Sequence, residues 1–368
     1  MLIFCSVLAS VLMLGFLFMH FAPQFGAAAK GKRLERMQQS PQYHQGKFEN
    51  TSPTPMMTSS SLSQSLRMWR DFLVGVKGAT PPHALPLQTR TTTDFAASAL
   101  PAITWFGHSA VLLELDGQRI LLDPMLGRRS SPLSFIGSKR FHDHLPIPIE
   151  ELPPLDAIVF SHDHYDHLDY GSVLRLKHKT AHFFVPLGVG AHLERWGVPA
   201  EKITELDWWE TASCRGITLT AAPARHFSGR GLFNRNSTLW CSWVLQGQQH
   251  KIYFGGDSGY DAHFAQIGER LGPFDVTLLE CGQYNETWKY IHMMPEQTAQ
   301  AHLDLRGKVL QPTHWAGFAL ALHPWQEPVQ RLTKAAAQQG ITLATPLIGQ
   351  TWQVGAAVPQ NRWWQELE

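Results

Sequence analysis

Three histidines and an aspartate lie within six residues of one another near the middle of the chain: His162, His164, Asp166 and His167. They follow the apolar run 155–160, which is typical of a buried strand, so their loop begins where that strand ends. Buried imidazoles and carboxylates need partners, and both groups are ligands of zinc and related transition metals. Four ligands in so short a loop favour two ions side by side. The competing interpretation is a solvated polar loop that is rich in histidine by chance.

Three further candidate ligands stand downstream, each behind a short apolar run that predicts a strand. They are His226, Asp257 and His314, and Gly255 and Gly256 precede the aspartate on a turn where backbone can approach a ligand closely. Each alone is a weak signal, because a single histidine after a strand is more often a hydrogen-bonded structural residue. As an ordered set behind the first loop, they predict a two-metal site.

The order His-X-His-X-Asp-His, then His, then Gly-Asp, then His resembles the metallo-β-lactamase superfamily of binuclear metallohydrolases. Within that superfamily, the chain most resembles the N-acylphosphatidylethanolamine-hydrolysing phospholipase D family. The agreeing segments cover nearly all of the predicted folded part: Trp105–Ser109, Leu122–Pro124, Gly137–Phe141, Glu151–Asp156, Phe184–Gly188, Glu205–Glu210, Gly272–Asp275 and His314–Leu320.

The resemblance implies an α/β fold, the metallo-β-lactamase-like αββα sandwich, with its site at the strand ends. It places His162, His164 and His226 on one metal, Asp166, His167 and His314 on the other, and Asp257 between the two. Asp166, Asp257 and His292 would be the catalytic residues. A donor set rich in imidazole suits zinc better than magnesium, so two Zn²⁺ ions are expected, with iron or manganese as alternatives.

The resemblance also implies a phospholipase D-type phosphodiesterase that cleaves N-acylphosphatidylethanolamine to N-acylethanolamine and phosphatidic acid. A phospholipid and a membrane would then be its partners. Two ions about 4 Å apart can activate one water and hold both the attacking and the leaving oxygen, which suits phosphodiesters and activated acyl groups alike. Another binuclear hydrolase, such as a lactonase or a nuclease, and a non-catalytic metal-bound envelope protein are the alternatives. The oligomeric state stays open.

Three residues are expected on the substrate side of the metals. His292 resembles a family histidine that orients a phosphate oxygen or protonates the leaving group, although capping the helix predicted from Pro295 is the competing interpretation. Tyr284 and Trp315 belong to a series of aromatic residues around the motifs, and they are expected in an apolar groove for acyl chains. Residues 280–287 depart from the family pattern, which is more apolar there, and Cys281 is expected to be a small buried side chain.

The remaining histidines are not assigned as ligands. His142 and His144 imitate a two-ligand spacing, but no predicted strand presents them, so a solvated loop is expected. His108 follows the first strand of the domain and is expected to support the site from outside the ligand set. Ordinary structural roles are expected for His178, His182, His192, His263, His302 and His323.

Composition and charge exclude some classes of protein. The chain has 368 residues, a formal net charge of +1 and 44% hydrophobic residues, which is typical of a globular protein with a sizeable core. A charge so close to zero offers no electrostatic case for nucleic acid. The four cysteines form no CxxC pair, and Cys5 lies in the apolar leader, so a disulfide-stapled secreted fold is not expected.

The chain divides into four predicted regions. Residues 1–29 are a hydrophobic leader, 30–65 are a basic stretch and then a low-complexity linker without fixed structure from 38 to 65, 66–100 are an amphipathic helix and lead-in, and 101–368 are the hydrolase domain. The helix, at 66–77, is expected to pack against the domain or to contact a membrane surface. In the domain, an Asp-Gly turn predicts a hairpin over 111–123, and helices are expected at 171–179, 189–196, 262–270, 295–305 and 327–339.

The leader admits two interpretations. Residues 2–21 are almost wholly apolar, long enough to span a bilayer, and basic residues follow from Lys30. By the positive-inside rule, this favours a membrane anchor with the catalytic domain in the cytoplasm. The alternative is a signal peptide cleaved near Ala27-Ala28-Ala29, with export of the protein.

Overall fold

Short apolar runs form two mixed sheets of seven strands each, and the two sheets share one large apolar core. The computed structural model of the chain describes residues 2–58, 61–95 and 100–367. Helices flank the sheets, so the predicted αββα sandwich is confirmed.

The first sheet carries the loop with the first four candidate ligands. In spatial order it contains β16 (Thr351–Gln353), β3 (Ala102–Trp105), β4 (Val111–Leu115), β5 (Gln118–Leu122), β6 (Leu155–Val159), β7 (Thr180–Pro186) and β8 (Ile203–Leu206). Pairing is antiparallel from β16 to β5 and parallel from β5 to β8. β4 and β5 form the predicted hairpin, in which Asp116 and Gly117 have φ angles of 48° and 75°, as a type I′ turn requires.

The second sheet repeats this arrangement and carries the downstream candidates. In spatial order it contains β15 (Thr342–Leu343), β14 (Gly307–Thr313), β13 (Phe274–Glu280), β12 (Lys251–Phe254), β11 (Ser242–Gln246), β10 (Ile217–Ala222) and β9 (Thr211–Cys214). Pairing is antiparallel from β9 to β12 and parallel from β12 to β15. Parallel strands end at a common edge, so the loops after β12 and β14 emerge at the same edge of the sheet, with β13 between the two strands.

Alternation along the strands separates two apolar layers. In β4, Val111 and Leu113 belong to the core shared with the second sheet, whereas Leu112 belongs to the cluster on the outer face of the first sheet. Successive side chains of a strand point to opposite faces, so a strand that is buried on both faces becomes a continuous apolar run. Rigid, doubly covered strands of this kind deliver the loops of the site.

The described residues form eight α-helices: α1 (Leu2–Phe21), α2 (Lys32–Gln38), α3 (Leu62–Val74), α4 (Tyr170–Leu176), α5 (Gly190–Arg195), α6 (His263–Leu271), α7 (Pro295–Asp304) and α8 (Glu327–Gln339). α4 and α5 cover the outer face of the first sheet through Val173 and Leu193. α7 packs on β13 and β14 and contacts α6 and α8. The helix predicted over 66–77 is α3, which begins four residues earlier and ends before Gly75, whose φ is 81°.

The polar stretch before α3 packs on the domain. Residues 43–48 form a two-stranded ribbon, β1 (Tyr43–His44) and β2 (Lys47–Phe48), and Phe48 is fully buried. The side chain of Asn50 donates to the carbonyl of His226 at 2.7 Å and accepts from its N–H at 3.1 Å. The prediction of a linker without fixed structure is therefore wrong for residues 43–50. The polar side chains of this stretch bond to backbone groups that are distant in the sequence, and such contacts leave no periodic pattern in the sequence.

The N-terminal region also differs from the prediction. In the parts of the chain that the structure describes, no helix combines the length and the apolar character needed to cross a membrane, so the predicted N-terminal anchor is wrong. The basic residues after α1, which suggested the flank of an anchor, bond to the domain. Arg33 pairs with Glu194 and Glu205, and Arg36 pairs with Glu210.

Candidate metal centre

All seven predicted ligands meet at one edge of the sandwich. His162, His164, Asp166 and His167 lie in the loop after β6, and the other three follow β10, β12 and β14: His226, Asp257 and His314. The parallel strands of both sheets end at this edge, so loops far apart in sequence converge there. The positive φ of His314, 62°, turns the chain sharply as it leaves β14.

One cluster joins His162, His164, His226 and Asp257, whose ligand atoms all lie within 4.8 Å of one another. Nε2 of His162 and Nδ1 of His164 are 2.9 Å apart, and Nε2 of His226 lies 3.3 Å from the same Nδ1. Oδ2 of Asp257 is 3.8 Å from Nε2 of both His162 and His226. Three imidazole nitrogens and one carboxylate oxygen thus point at a common position.

A second cluster joins Asp166, His167 and His314 with His108. Oδ2 of Asp166 lies 3.1 Å from Nε2 of His314 and 3.6 Å from Nε2 of His167. Oδ2 of Asp257 also reaches these two imidazoles, at 3.0 Å from His167 and 3.2 Å from His314. One carboxylate therefore faces both clusters. His108 places its Nε2 3.1 Å from Oδ2 of Asp166, so it contacts a candidate ligand directly.

The electrostatics of the clusters favour a cation. Burial lowers the pKa of His162 and of His226 well below the ordinary 6.5, so both imidazoles are neutral, as metal ligands must be. Burial opposes protonation of His167 and His314 as well. The facing carboxylates outweigh it, and they raise the pKa of His167 well above 6.5 and that of His314 to about 10. The carboxylates thus favour positive charge at this position, and a bound divalent cation would supply that charge.

A buried carboxylate oxygen without a hydrogen-bond partner also favours a bound cation. Oδ1 of Asp257 is buried and has no hydrogen-bond partner among the residues that the structure describes. An unpaired buried carboxylate oxygen is costly, and a bound metal removes that cost. The donor set, the neutral imidazoles of His162 and His226 and this oxygen fit a bound transition metal, and Asp257 faces both clusters.

Neighbouring groups hold the imidazoles in place. Asp123, which follows β5 with a φ of 37°, accepts from Nδ1 of His167 at 2.7 Å and from the N–H of Ser161 at 2.7 Å. The Ser161 hydroxyl lies 2.9 Å from Nδ1 of His162, and Nδ1 of His226 donates to the carbonyl of Ile291 at 2.8 Å. Each contact leaves Nε2 free to face the clusters. The role of Asp123 was not predicted, and its position directly after an apolar strand was the available signal.

Glu280 is a second residue that sequence reasoning missed. It ends β13, is fully buried, and accepts from Nδ1 of His292 at 2.6 Å. Its other oxygen accepts from the N–H groups of Ser258 and Met293, each at 3.1 Å. Nδ1 of His314 lies 3.5 Å from the oxygen that faces His292. Glu280 therefore ties the predicted substrate-side histidine to the metal clusters, and the adjacent Cys281 is buried as predicted.

A cavity of about 470 Å³ opens over the clusters. Candidate ligands and His292 form its floor, while its walls are largely apolar: Met56, Met57, Met68, Trp69, Phe72, Phe227, Trp288, Ile291 and Leu320. Phe72 of α3 stacks on Trp288 with ring centroids 5.9 Å apart. α3 thus covers the site from a part of the chain far from the metal motifs.

Two residues that were expected in the groove lie outside the lining of this cavity. Trp315 is 2% exposed and stacks on Trp105 at 5.4 Å, within the core. Tyr284 donates its hydroxyl to Glu327 at 2.7 Å, and its ring stacks on His323. The aromatic walls come from Trp69, Phe72, Phe227 and Trp288 instead.

One rejected histidine is also placed differently from the prediction. His142 is 2% exposed, with Nδ1 2.7 Å from the carbonyl of His144 and Nε2 3.3 Å from Arg140, so the solvated-loop prediction is wrong for it. His144 is exposed, as expected. The loop is closed because Arg140 is buried beneath it and donates to the carbonyls of residues 125 and 127.

Comparison with known proteins identifies the family. Residues 118–315, which hold all seven candidate ligands, match the model of the beta-lactamase superfamily domain. The chain belongs to the metallo-β-lactamase superfamily. Its members include metal-dependent hydrolases, and this chain is one of them by fold and by donor set.

Individual relatives agree. An uncharacterized protein of Mycobacterium tuberculosis is 47% identical over 333 residues, or 89% of this chain and 88% of that one. The N-acyl-phosphatidylethanolamine-hydrolyzing phospholipase D 1 of Caenorhabditis elegans is 33% identical over 286 residues, or 73% of this chain and 80% of that one. These matches confirm the family resemblance. The crystal structure of an isothiocyanate hydrolase from Delia radicum gut bacteria is similar in fold, with a TM-score of 0.56, 20% identity, and coverage of 69% of this chain and 99% of that chain.

Proposed function

We propose that this metallo-β-lactamase superfamily member is a phospholipase D-type phosphodiesterase that hydrolyses N-acylphosphatidylethanolamine to N-acylethanolamine and phosphatidic acid. The observation that carries the proposal is the joining of a two-metal donor set to a largely apolar cavity of about 470 Å³. A polar phosphodiester fits the floor, and an acyl chain fits the walls. The Caenorhabditis elegans relative is an N-acyl-phosphatidylethanolamine-hydrolyzing phospholipase D, which supports the same substrate class.

The ligands divide as the two clusters do. One Zn²⁺ would take His162, His164 and His226, the other Asp166, His167 and His314, and Asp257 faces both. When bound, the two ions supply a water of lowered pKa and positive charge for the phosphate oxygens. The chain itself contributes the imidazoles, whose orientation is fixed by contacts at their second ring nitrogens.

His292 has the geometry of a proton donor to the leaving oxygen. Its ring borders the cavity, and its Nδ1 is held by Glu280, which leaves Nε2 as the nitrogen available to a substrate. In the reaction, the oxygen of a water that has lost one proton to solvent bonds to phosphorus, and the bond between phosphorus and the ethanolamine oxygen breaks. The departing alkoxide takes a proton from Nε2 of His292, because an unprotonated alkoxide is a poor leaving group. The buried Glu280 carboxylate holds the ring in this orientation through its contact with Nδ1.

The test pairs metal content with lipid turnover. The full chain is purified in detergent, zinc and iron are counted per chain, and N-acylphosphatidylethanolamine is assayed for wild type and for Asp257→Asn. Asp143→Asn is the matched control, since the Asp143 side chain is 69% exposed and lies outside the clusters. We expect about two zinc ions per chain and release of phosphatidic acid that only Asp257→Asn abolishes. Two ions without lipid cleavage would move the substrate elsewhere, and wild type without metal would overturn the enzymatic proposal.

A further inference from the structure

The apolar surface of α3 is wider than the part of it that packs against the domain. Its inner side places Met68, which is 8% exposed, in a small cluster with Trp288 and Ile291 beside the site. Four other large apolar side chains of the helix stay in solvent: Leu66 is 61% exposed, Trp69 61%, Phe72 47% and Val74 79%. Scattered single exposures of this kind are ordinary, but four on one short helix are not.

The exposed residues continue the cavity outward. Trp69 and Phe72 line the cavity with part of each ring and expose the remainder, and Met57 at the same mouth is 44% exposed. Leu66 lies one helical turn before Trp69, so the apolar surface runs without a break from the cavity wall to the outside of α3. An apolar chain that leaves the cavity would meet this surface first.

Basic residues border the apolar surface. From residue 66 to residue 77, three side chains are basic and one is acidic: Arg67, Arg70, Lys77 and Asp71. Arg70 pairs with Asp71 but is still 69% exposed, and Arg67 and Lys77 are exposed as well. An amphipathic helix with an apolar face, a tryptophan and flanking basic residues is the pattern that binds in the interface of an anionic bilayer.

We propose that α3 docks the protein on the surface of an anionic phospholipid bilayer, with Leu66 and Trp69 in the acyl boundary and Arg67 and Arg70 at the phosphates. The proposal rests on the lipid hydrolase function proposed above, because docking at this helix places the cavity mouth against the layer that holds the substrate. A second copy of the chain fits the helix less well. Two α3 helices face to face would bring the same basic residues together.

The decisive experiment measures vesicle binding by the full chain. Binding to phosphatidylcholine vesicles with and without phosphatidylglycerol is compared by flotation for wild type, Leu66→Ser/Val74→Ser and Arg67→Gln/Arg70→Gln. None of these four side chains lines the cavity. Matched controls are Leu303→Ser, an apolar residue 42% exposed on α7, and Lys334→Gln, an exposed residue of α8.

The apolar pair should weaken binding to anionic vesicles at least about tenfold, since two apolar side chains lose their burial. The arginine pair should weaken it by about fivefold per residue, and only when phosphatidylglycerol is present. The controls should bind as wild type does. Hydrolysis of vesicle-borne substrate should fall in parallel, while kcat on a short-chain monomeric phosphodiester stays within about twofold, which also shows that the variants fold.

Other outcomes separate the two proposals. Unchanged vesicle binding in both pairs would overturn the docking role of α3 even if the lipid is cleaved. Loss of vesicle binding in the pairs, in a protein that cleaves no phospholipid, would support the docking role and refute the hydrolase function. If the pairs instead convert a dimer to a monomer in sedimentation, without a change in vesicle binding, the surface belongs to a second copy and the bilayer proposal fails.

Discussion

We expect the Glu280 carboxylate to affect one step of the proposed reaction, the transfer of a proton from His292 to the leaving oxygen. We expect it to have little effect on the other steps. In Glu280→Gln, the side-chain oxygen can still accept from the N–H groups of Ser258 and Met293, so the fold around β13 is preserved. The amide NH₂ then faces Nδ1 of His292, where the carboxylate accepts at 2.6 Å in the wild type. A protonated imidazole carries a hydrogen there, and two donors would oppose each other.

The size of the effect follows from that contact. A hydrogen bond to a charged group contributes about 1.5–3 kcal/mol to stability. If this is lost only from the protonated form of His292 that donates to the leaving oxygen, turnover falls by a factor of about 10 to 150. A substrate whose leaving group is a stable anion, such as p-nitrophenolate, needs no such proton and should lose less than about threefold.

The assay compares kcat for N-acylphosphatidylethanolamine and for a p-nitrophenyl phosphodiester, with zinc counted in every preparation. Glu286→Gln serves as the matched control, because Glu286 is exposed six residues further on. Equal losses on both substrates would refute the reasoning. Since Nδ1 of His314 lies 3.5 Å from Glu280, such a result with reduced zinc would mean that Glu280 acts on the metal clusters instead.

Three further changes test the supporting structure. Asp123→Asn should lower zinc affinity by about 10–100-fold in competition titrations with a chelator, because it weakens the hold on a ligand imidazole, and unchanged affinity would exclude that role. Gly256→Ala should lower Tm by clearly more than Gly216→Ala does. Both glycines have a positive φ, but only at Gly256 would an added Cβ lie 2.5 Å from Cβ of Ser161. Equal changes in Tm would contradict the clash. Burial lowers the pKa of His302 from 6.5 to about 4, so the free energy of unfolding should be highest above pH 6.5 and should fall as the pH is lowered to 4. His302→Gln should reduce that fall by at most about 3 kcal/mol in denaturant titrations. An unchanged dependence of the unfolding free energy on pH would contradict the assignment.

Much of the fold could be predicted because its elements have strong local signals. The hairpin of β4 and β5 follows from apolar runs around Asp116-Gly117, and α8 spans Glu327–Gln339 as predicted. The seven candidate ligands could be found because each follows a buried strand, and strand ends share an edge in a parallel arrangement. Local sequence therefore contained both the period of each element and the place of each ligand.

What could not be predicted depends on distant partners. Residues 43–50 are polar and aperiodic, yet Asn50 binds the backbone of His226 from 176 residues away. β16 is three residues long and is a strand only because β3 lies beside it. Glu280 can be buried because His292 and two backbone N–H groups donate hydrogen bonds to it. The residues next to Glu280 in the sequence do not indicate these partners. Burial of a charge is a property of the assembled site.

Two aromatic residues predicted to line the groove lie elsewhere, and their positions show which parts of the chain form the cavity walls. Trp315 follows a candidate ligand, so it was expected in the groove; as the chain leaves β14, however, neighbouring side chains diverge, and His314 enters the site while Trp315 enters the core. Part of the cavity wall comes instead from Met56, Met57, Met68, Trp69 and Phe72, which lie outside the region 118–315 that matches the superfamily, while Phe227 and Trp288 come from within it. Proteins that share only this region can therefore have the same metal-ligand floor and differ in the cover above it. The metal motif fits hydrolysis of phosphodiesters and of activated acyl groups alike, so we expect the lining residues of α3 and the residues Met56 and Met57 before it to contribute to the choice of substrate.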